Sequence, residues 1–181
     1  LRRRPLLVLF AAVSVAFSLV YAQFTFSLPL QLAALFGADG PGRFGLLMSV
    51  NALTVLALTV PLVRATERLS RGNAIALGGL AYACGFGAIG LASGVAGLVA
   101  TTIVWSAGEI LVTNHTKAYV ADRAPSSHRG RFHAVLQIVS GSGFTLGPAA
   151  AGFAAGAPCC VPVLAAGVAA GWAAGAGPPS A

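Results

Sequence analysis

Long stretches without a charged side chain constrain this sequence more than any other feature. Six apolar blocks run between its charged clusters, at roughly 5–35, 44–63, 73–92, 97–117, 132–155 and 159–176, each close to or above the roughly 20 residues that carry a helix across a bilayer. Hydrocarbon offers the backbone no hydrogen-bond partners, so an open chain crossing it must be helical. The third and fourth blocks are parted only by Ala92-Ser-Gly-Val-Ala96. Together they are about twice the length of one span, so the chain must turn there. The sixth block is rich in Ala and Gly, with Pro162 near its start and Gly177-Pro-Pro179 as its stop signal. The expected fold is an all-α membrane domain of six transmembrane helices filling residues 1–181.

Composition excludes the main alternative. Of the 181 residues 57% are hydrophobic and only 8% charged, against roughly a quarter charged in a soluble domain, and one core of this size cannot hide so much apolar surface. A soluble enzyme is therefore ruled out. The net charge of +7 could suggest nucleic acid on another chain, but here the basic residues sit between the apolar blocks, as cytoplasmic loops of membrane proteins require. Membrane lipid is the expected partner, and nucleic acid is not. Counting loops alternately, one side collects Arg2, Arg3, Arg4, Arg64, Arg68, Arg71, Lys117, Arg123, Arg129 and Arg131, and the other has Arg43 alone. This split puts both termini in the cytoplasm and agrees with an even number of spans.

Cys84, Cys159 and Cys160 lack metal-ligand spacing to His or Asp, so neither a metal nor a cofactor is expected. Leu1-Arg-Arg-Arg-Pro5 with the apolar run to Val20-Tyr21-Ala22 has the outline of a signal peptide. The run continues uncharged to Phe36, however, and reads as a retained helix. The sequence opens on Leu rather than Met, so an upstream stretch is expected.

Function should show where polarity enters the membrane, because ionisable groups there are expensive and normally face a cavity or a partner. Glu109 is the one deep acidic residue. It lies twelve residues after Gly97 and eight before Lys117, hence about 18 Å and about 12 Å from the two ends of its helix. Thr102, Ser106, Glu109, Thr113 and Thr116 recur at intervals of 4, 3, 4 and 3, which keeps them on one helix face. Ser14, Ser18, Tyr21 and Thr25 form a related stripe on the first helix, with Gln23 and Ser27 on a neighbouring face and Pro29 breaking the ladder beyond. Glu109, Gln23, Ser106, Thr113 and Asn114 are the candidate pathway residues, Glu109 as a proton-coupling or cation-attracting carboxyl. A structural carboxyl is the competing reading. His115 is turned roughly 120° from Glu109 around the helix, so direct pairing is not expected, and it should lie near the cytoplasmic interface beside Lys117.

The loop between the second and third blocks reads Glu67-Arg68-Leu69-Ser70-Arg71 and resembles the D-R-x-G-R loop of the major facilitator superfamily. Ser70 stands for the usual Gly, Gly72 for a frequent second basic residue and Val63 for the leading Gly, departures common in the second copy of that loop. Ala118-Tyr-Val-Ala-Asp122-Arg-Ala-Pro125 through Arg129-Gly130-Arg131 is similar to the link between the tenth and eleventh helices of that superfamily. Gly143-x-x-x-Gly147-Pro148-x-x-x-Gly152 is similar to the glycine-proline pattern of its antiporters.

The resemblance implies the C-terminal half of a twelve-helix major facilitator fold, built as two inverted three-helix repeats whose leading helices line a central cavity. It also implies a secondary transporter working by alternating access, with proton-coupled efflux of a small-molecule substrate and the N-terminal half of the same transporter as its missing partner. Glu67, Arg68, Arg71, Asp122 and Arg129 would be the loop charges that hold one conformation. Gly143, Gly147, Pro148 and Gly152 would pack and bend a helix, since glycines spaced four apart let backbones approach closely in lipid. Two other classes remain. A non-catalytic membrane scaffold would explain the apolar content but neither the stripes nor the loops. An intramembrane serine protease could use Ser140-Gly-Ser142-Gly143, but it needs a later histidine to activate the serine, and none follows His133.

Overall fold

A computed structural model describes residues 15, 18, 21–22, 24–25, 28–92, 94–123, 130, 134–135, 137–138 and 140–146 of the chain. Every described position between 15 and 36 is helical and belongs to α1. A 3-10 turn, Gly37–Asp39, leads into α2 (Gly40–Ala65), followed by α3 (Arg71–Ile89) and α4 (Val95–Arg123). Residues 140–146 are helical again and are termed α5. Among the described residues there is no strand, and three stretches are long and apolar enough to cross a membrane: Leu28–Ala65, Arg71–Ile89 and Val95–Tyr119. The sixth expected span, 159–176, lies outside the described residues, as does much of the fifth.

Two local devices set the reversals. Gly37 adopts a φ of 57°, open to glycine and costly for other residues. A Cβ built on Gly40 would lie 2.9 Å from the Ala33 Cα, whereas seven residues of unbroken helix would separate these positions by about 10 Å. The chain therefore doubles back between α1 and α2, and Pro41 suits the first turn of the new helix. At the other end of α2, Ser70 caps α3, its side chain accepting from the Asn73 N–H. The small residue of the loop thus satisfies one of the donors a helix start leaves open.

α3 and α4 run antiparallel in tight contact. A Cβ at Gly85 would lie 2.7 Å from the Trp105 nitrogen, one at Gly108 2.7 Å from the Gly78 oxygen, and one at Gly78 2.9 Å from the Leu111 Cβ. Small residues on both sides let the two backbones meet, which is how helices associate where lipid removes the hydrophobic drive. The core between the helices is aromatic. Trp105 stacks on Phe86 and tilts against Phe24, each at 5.3 Å between ring centroids, and Phe86 stacks on Tyr82 at 5.4 Å. α2 packs beside α4 and leaves Leu53, Leu56 and Val60 exposed, a face suited to lipid or to another helix.

Helix boundaries depart from the charge-free blocks. α4 continues past Lys117 to Arg123, so Lys117 and Asp122 ride on a helix rather than in a loop, and α3 already ends at Ile89. The physical reason is that a charge marks where a helix leaves hydrocarbon, not where its hydrogen-bond ladder stops. Long basic side chains reach the interface from within a helix.

Candidate functional site

Along α4 the candidate side chains differ in cover, and Thr116 at the end of the polar stripe is half-buried again. Thr102 and Ser106 are buried, Glu109 and Asn114 half-buried, and Thr113 and Lys117 exposed. The deeper hydroxyls return their protons to the helix itself, Thr102 to the Leu98 carbonyl at 2.8 Å and Ser106 to the Thr102 carbonyl at 2.6 Å. Asn114 likewise donates to the Ile110 carbonyl at 2.8 Å.

Glu109 gathers three helices. Its Oε1 accepts from the Tyr21 hydroxyl of α1 at 3.1 Å, and its Oε2 accepts from the Asn51 Nδ2 of α2 at 3.0 Å. The same Asn51 nitrogen donates to Ser106 Oγ at 2.9 Å. Among the described residues the cluster is thus Tyr21, Asn51, Ser106 and Glu109, walled by the rings of Phe24, Tyr82 and Phe144, whose centroids lie 5.3, 6.4 and 6.2 Å from that of Tyr21. Of the candidate pathway residues, the structure brings Glu109 and Ser106 together through Asn51. Thr113 and Asn114 stand apart from this node, and Gln23 lies outside the described residues. Asn51 was not singled out from the sequence. Its signal was weak: one amide among the hydroxyls of Ser49, Thr54 and Thr59 in a largely apolar block.

The end of the bundle at which α2 stops holds a second polar group. His115 lies here beside Lys117 and is only 1% exposed, with Nε2 2.8 Å from the Thr66 hydroxyl just beyond α2, so it is enclosed between helices rather than open to solvent. Arg71, at the start of α3, pairs through Nε with Asp122 Oδ2 of α4 at 3.4 Å. Both side chains are largely exposed, so the pair contributes about 0.2–1 kcal/mol at most. Glu67 and Arg68 are exposed, and Arg129 lies outside the described residues. In the glycine-proline segment Gly143 is buried against α1, where a Cβ would lie 2.7 Å from the Val15 oxygen and 2.8 Å from the Ser18 Cβ. Gly147, Pro148 and Gly152 lie outside the described residues.

No protein-family model matches the chain. Two proteins of Bacillus subtilis (strain 168) do. One is the uncharacterized MFS-type transporter YhjO, 28% identical over 149 residues, which cover 82% of this chain and 37% of the relative. The other is the uncharacterized MFS-type transporter YqjV, 28% identical over 145 residues, which cover 76% of this chain and 35% of the relative. The chain is a homologue of MFS-type transporters. It spans little more than a third of the length of these two relatives. As an MFS homologue with three helices of spanning length and composition among its described residues, it is a membrane protein.

A homologue of transporters is a setting in which the Glu109 cluster can be read chemically. The carboxyl is the only acidic side chain in the apolar stretch Val95–Tyr119 of α4. Among the described residues it is bonded to two neutral donors, Tyr21 and Asn51. Such a group can carry a charge or a proton in place, and each of its oxygens is tied to a different helix.

Proposed function

We propose that this chain is the C-terminal six-helix half of a secondary transporter, which moves a small molecule across the plasma membrane by alternating access and couples efflux to protons through Glu109. The observation that carries the reading is the Glu109 carboxyl within the apolar stretch Val95–Tyr119, accepting from α1 through Tyr21 and from α2 through Asn51. A group whose charge changes with one proton, and whose oxygens join separate helices, can link proton uptake to their relative positions. The loop signatures and the similarity to YhjO and YqjV support the transporter class. The departures of the Glu67–Arg71 loop, Ser70 and Gly72 among them, support the C-terminal half. In this reading the partner is the N-terminal half of the same transporter, both termini are cytoplasmic, and no bond-making chemistry is involved. Glu67, Arg68, Arg71, Asp122 and Arg129 hold one conformation by their charges, while Gly143, Gly147, Pro148 and Gly152 provide a close and bendable helix contact. Substrate is met along Glu109, Gln23, Ser106, Thr113 and Asn114, a surface poor in charge that suits neutral or cationic molecules better than phosphates.

The test is Glu109→Gln in the complete transporter. The amide keeps the size and hydrogen bonding but cannot titrate, so substrate should still bind while pH-gradient-driven transport falls to background. Full gradient-driven transport by Glu109→Gln, with Glu109→Ala lowering the amount of protein in the membrane, would make the carboxyl a packing residue.

A further inference from the structure

We propose that Glu109 takes its proton on Oε1, the oxygen facing α1, and that Tyr21 is the positioning residue that turns from donor to acceptor when it does. The inference rests on Glu109 being the proton-coupling carboxyl and adds which oxygen carries the proton and which helix senses it.

The direction of each bond follows from counting protons. Ser106 has one hydroxyl proton, which lies on the Thr102 carbonyl at 2.6 Å, so towards Asn51 it can only accept. Asn51 Nδ2 therefore donates to both Ser106 and Glu109, at 2.9 and 3.0 Å, which uses both protons of its amide nitrogen. Turning the amide over would set its oxygen against Ser106 and cost that bond unless Ser106 also left the Thr102 carbonyl. Oε2 of Glu109 is thus held as an acceptor in either charge state.

Oε1 faces a group of a different kind. The Tyr21 hydroxyl can donate or accept. With Glu109 ionised, it donates to Oε1 at 3.1 Å. When a proton from water settles on Oε1, the carboxyl O–H donates to the Tyr21 oxygen, the phenol rotates its own proton away, and the carbonyl left at Oε2 still accepts from Asn51. No bond to α2 is lost. Both bonds lose the reinforcement of a charged acceptor, which makes a hydrogen bond roughly twice as strong as a neutral one, and only the contact with α1 changes direction. Tyr21 is half-buried rather than enclosed, which leaves room for the rotation. Among the described residues the titratable group bonded to the carboxyl is Tyr21 on α1, with the Tyr82 ring of α3 6.4 Å from that of Tyr21, and from α2 the carboxyl meets the neutral Asn51. Proton exchange at Glu109 accordingly runs along its α1 side.

Infrared difference spectra of the full chain in liposomes, taken between alkaline and acidic buffer, test this. The carbonyl stretch of protonated Glu109 is identified by its loss in Glu109→Gln, and it rises in frequency when its oxygen loses a hydrogen-bond donor. Asn51→Ala should raise that frequency, and Tyr21→Phe should leave it in place. Asn51→Leu serves the same purpose should Asn51→Ala fail to insert. In the unaltered chain the phenolic C–O mode of Tyr21, identified by its loss in Tyr21→Phe, should change from its donor to its acceptor position at the pH where the Glu109 band appears. A carbonyl band that moves with Tyr21→Phe, or a Tyr21 mode that ignores the titration, overturns the inference while leaving proton coupling at Glu109 standing. Absence of any Glu109 band across the pH range overturns both.

Discussion

His115 shows how far the environment of one residue can depart from its sequence neighbourhood. It stands between Asn114 and Thr116, two positions before Lys117, yet its ring is 1% exposed because α2 ends against it. The Thr66 hydroxyl reaches the Leu62 carbonyl at 2.8 Å and shares a 2.8 Å hydrogen bond with Nε2 of the ring. Nδ1 is buried with no partner among the described residues. Thr66→Val keeps the volume but leaves Nε2 without its hydroxyl partner, and a buried unmatched polar group costs about 1–3 kcal/mol. Thr66→Ser keeps the hydroxyl and should unfold near the wild-type midpoint. Thermal unfolding in detergent separates the two variants, and equal midpoints would remove any energetic role for the bond. Glu109 was legible in the sequence because a lone carboxyl in an apolar run needs a reason. Its partners Tyr21 and Asn51 were not, since 88 and 58 residues separate them from it and no period in one helix reports what faces it from another.

Among the helices, the close pair α3 and α4 contrasts with α2. α3 and α4 meet through Gly78, Gly85 and Gly108, with Tyr82 and Trp105 set between the glycines. Gly85→Ala would push a methyl group into the Trp105 backbone, which cannot swing aside as a side-chain tip could, and overpacking of this kind costs about 1–3 kcal/mol. On α2, Gly45 has nothing within 4 Å of its would-be Cβ. Gly45→Ala should therefore gain up to about 1 kcal/mol from helix propensity alone. Reversible unfolding in mixed micelles should give opposite signs for the two changes, and a neutral Gly85→Ala would mean that the helices can part without loss. Existence of these helices was legible from the charge-free blocks, and their ends were less so. Hydropathy sees the membrane edge, whereas α4 stays helical beyond Lys117, carrying Asp122 to Arg71 of α3.

For the molecule as a whole, the arrangement of ends carries the topology. α2 has 26 residues, about 39 Å at 1.5 Å per residue, enough to cross a hydrocarbon core of about 30 Å. The turn at Gly37–Asp39 and the loop before Ser70 thus stand at opposite ends of it. α4 runs parallel to α2, since Asn51 meets Ser106 and Glu109 while Thr66 meets His115. Arg64, Arg68, Arg71 and Lys117 therefore gather at one end, and Arg43, 5.7 Å from the Phe36 ring centroid, sits at the other. Basic side chains concentrate on the cytoplasmic side, so the Ser70 end should face the cytoplasm. Single cysteines at Ser70 and Ala38, in a background lacking Cys84, Cys159 and Cys160, distinguish the ends. An impermeant thiol reagent applied to intact cells should label Ala38→Cys and spare Ser70→Cys, and inverted vesicles should reverse the pattern. Labelling of both positions from one face would mean that α2 does not cross the membrane. Placing Glu109 between two aqueous sides, and with it the proton route through Tyr21, would then lose its footing.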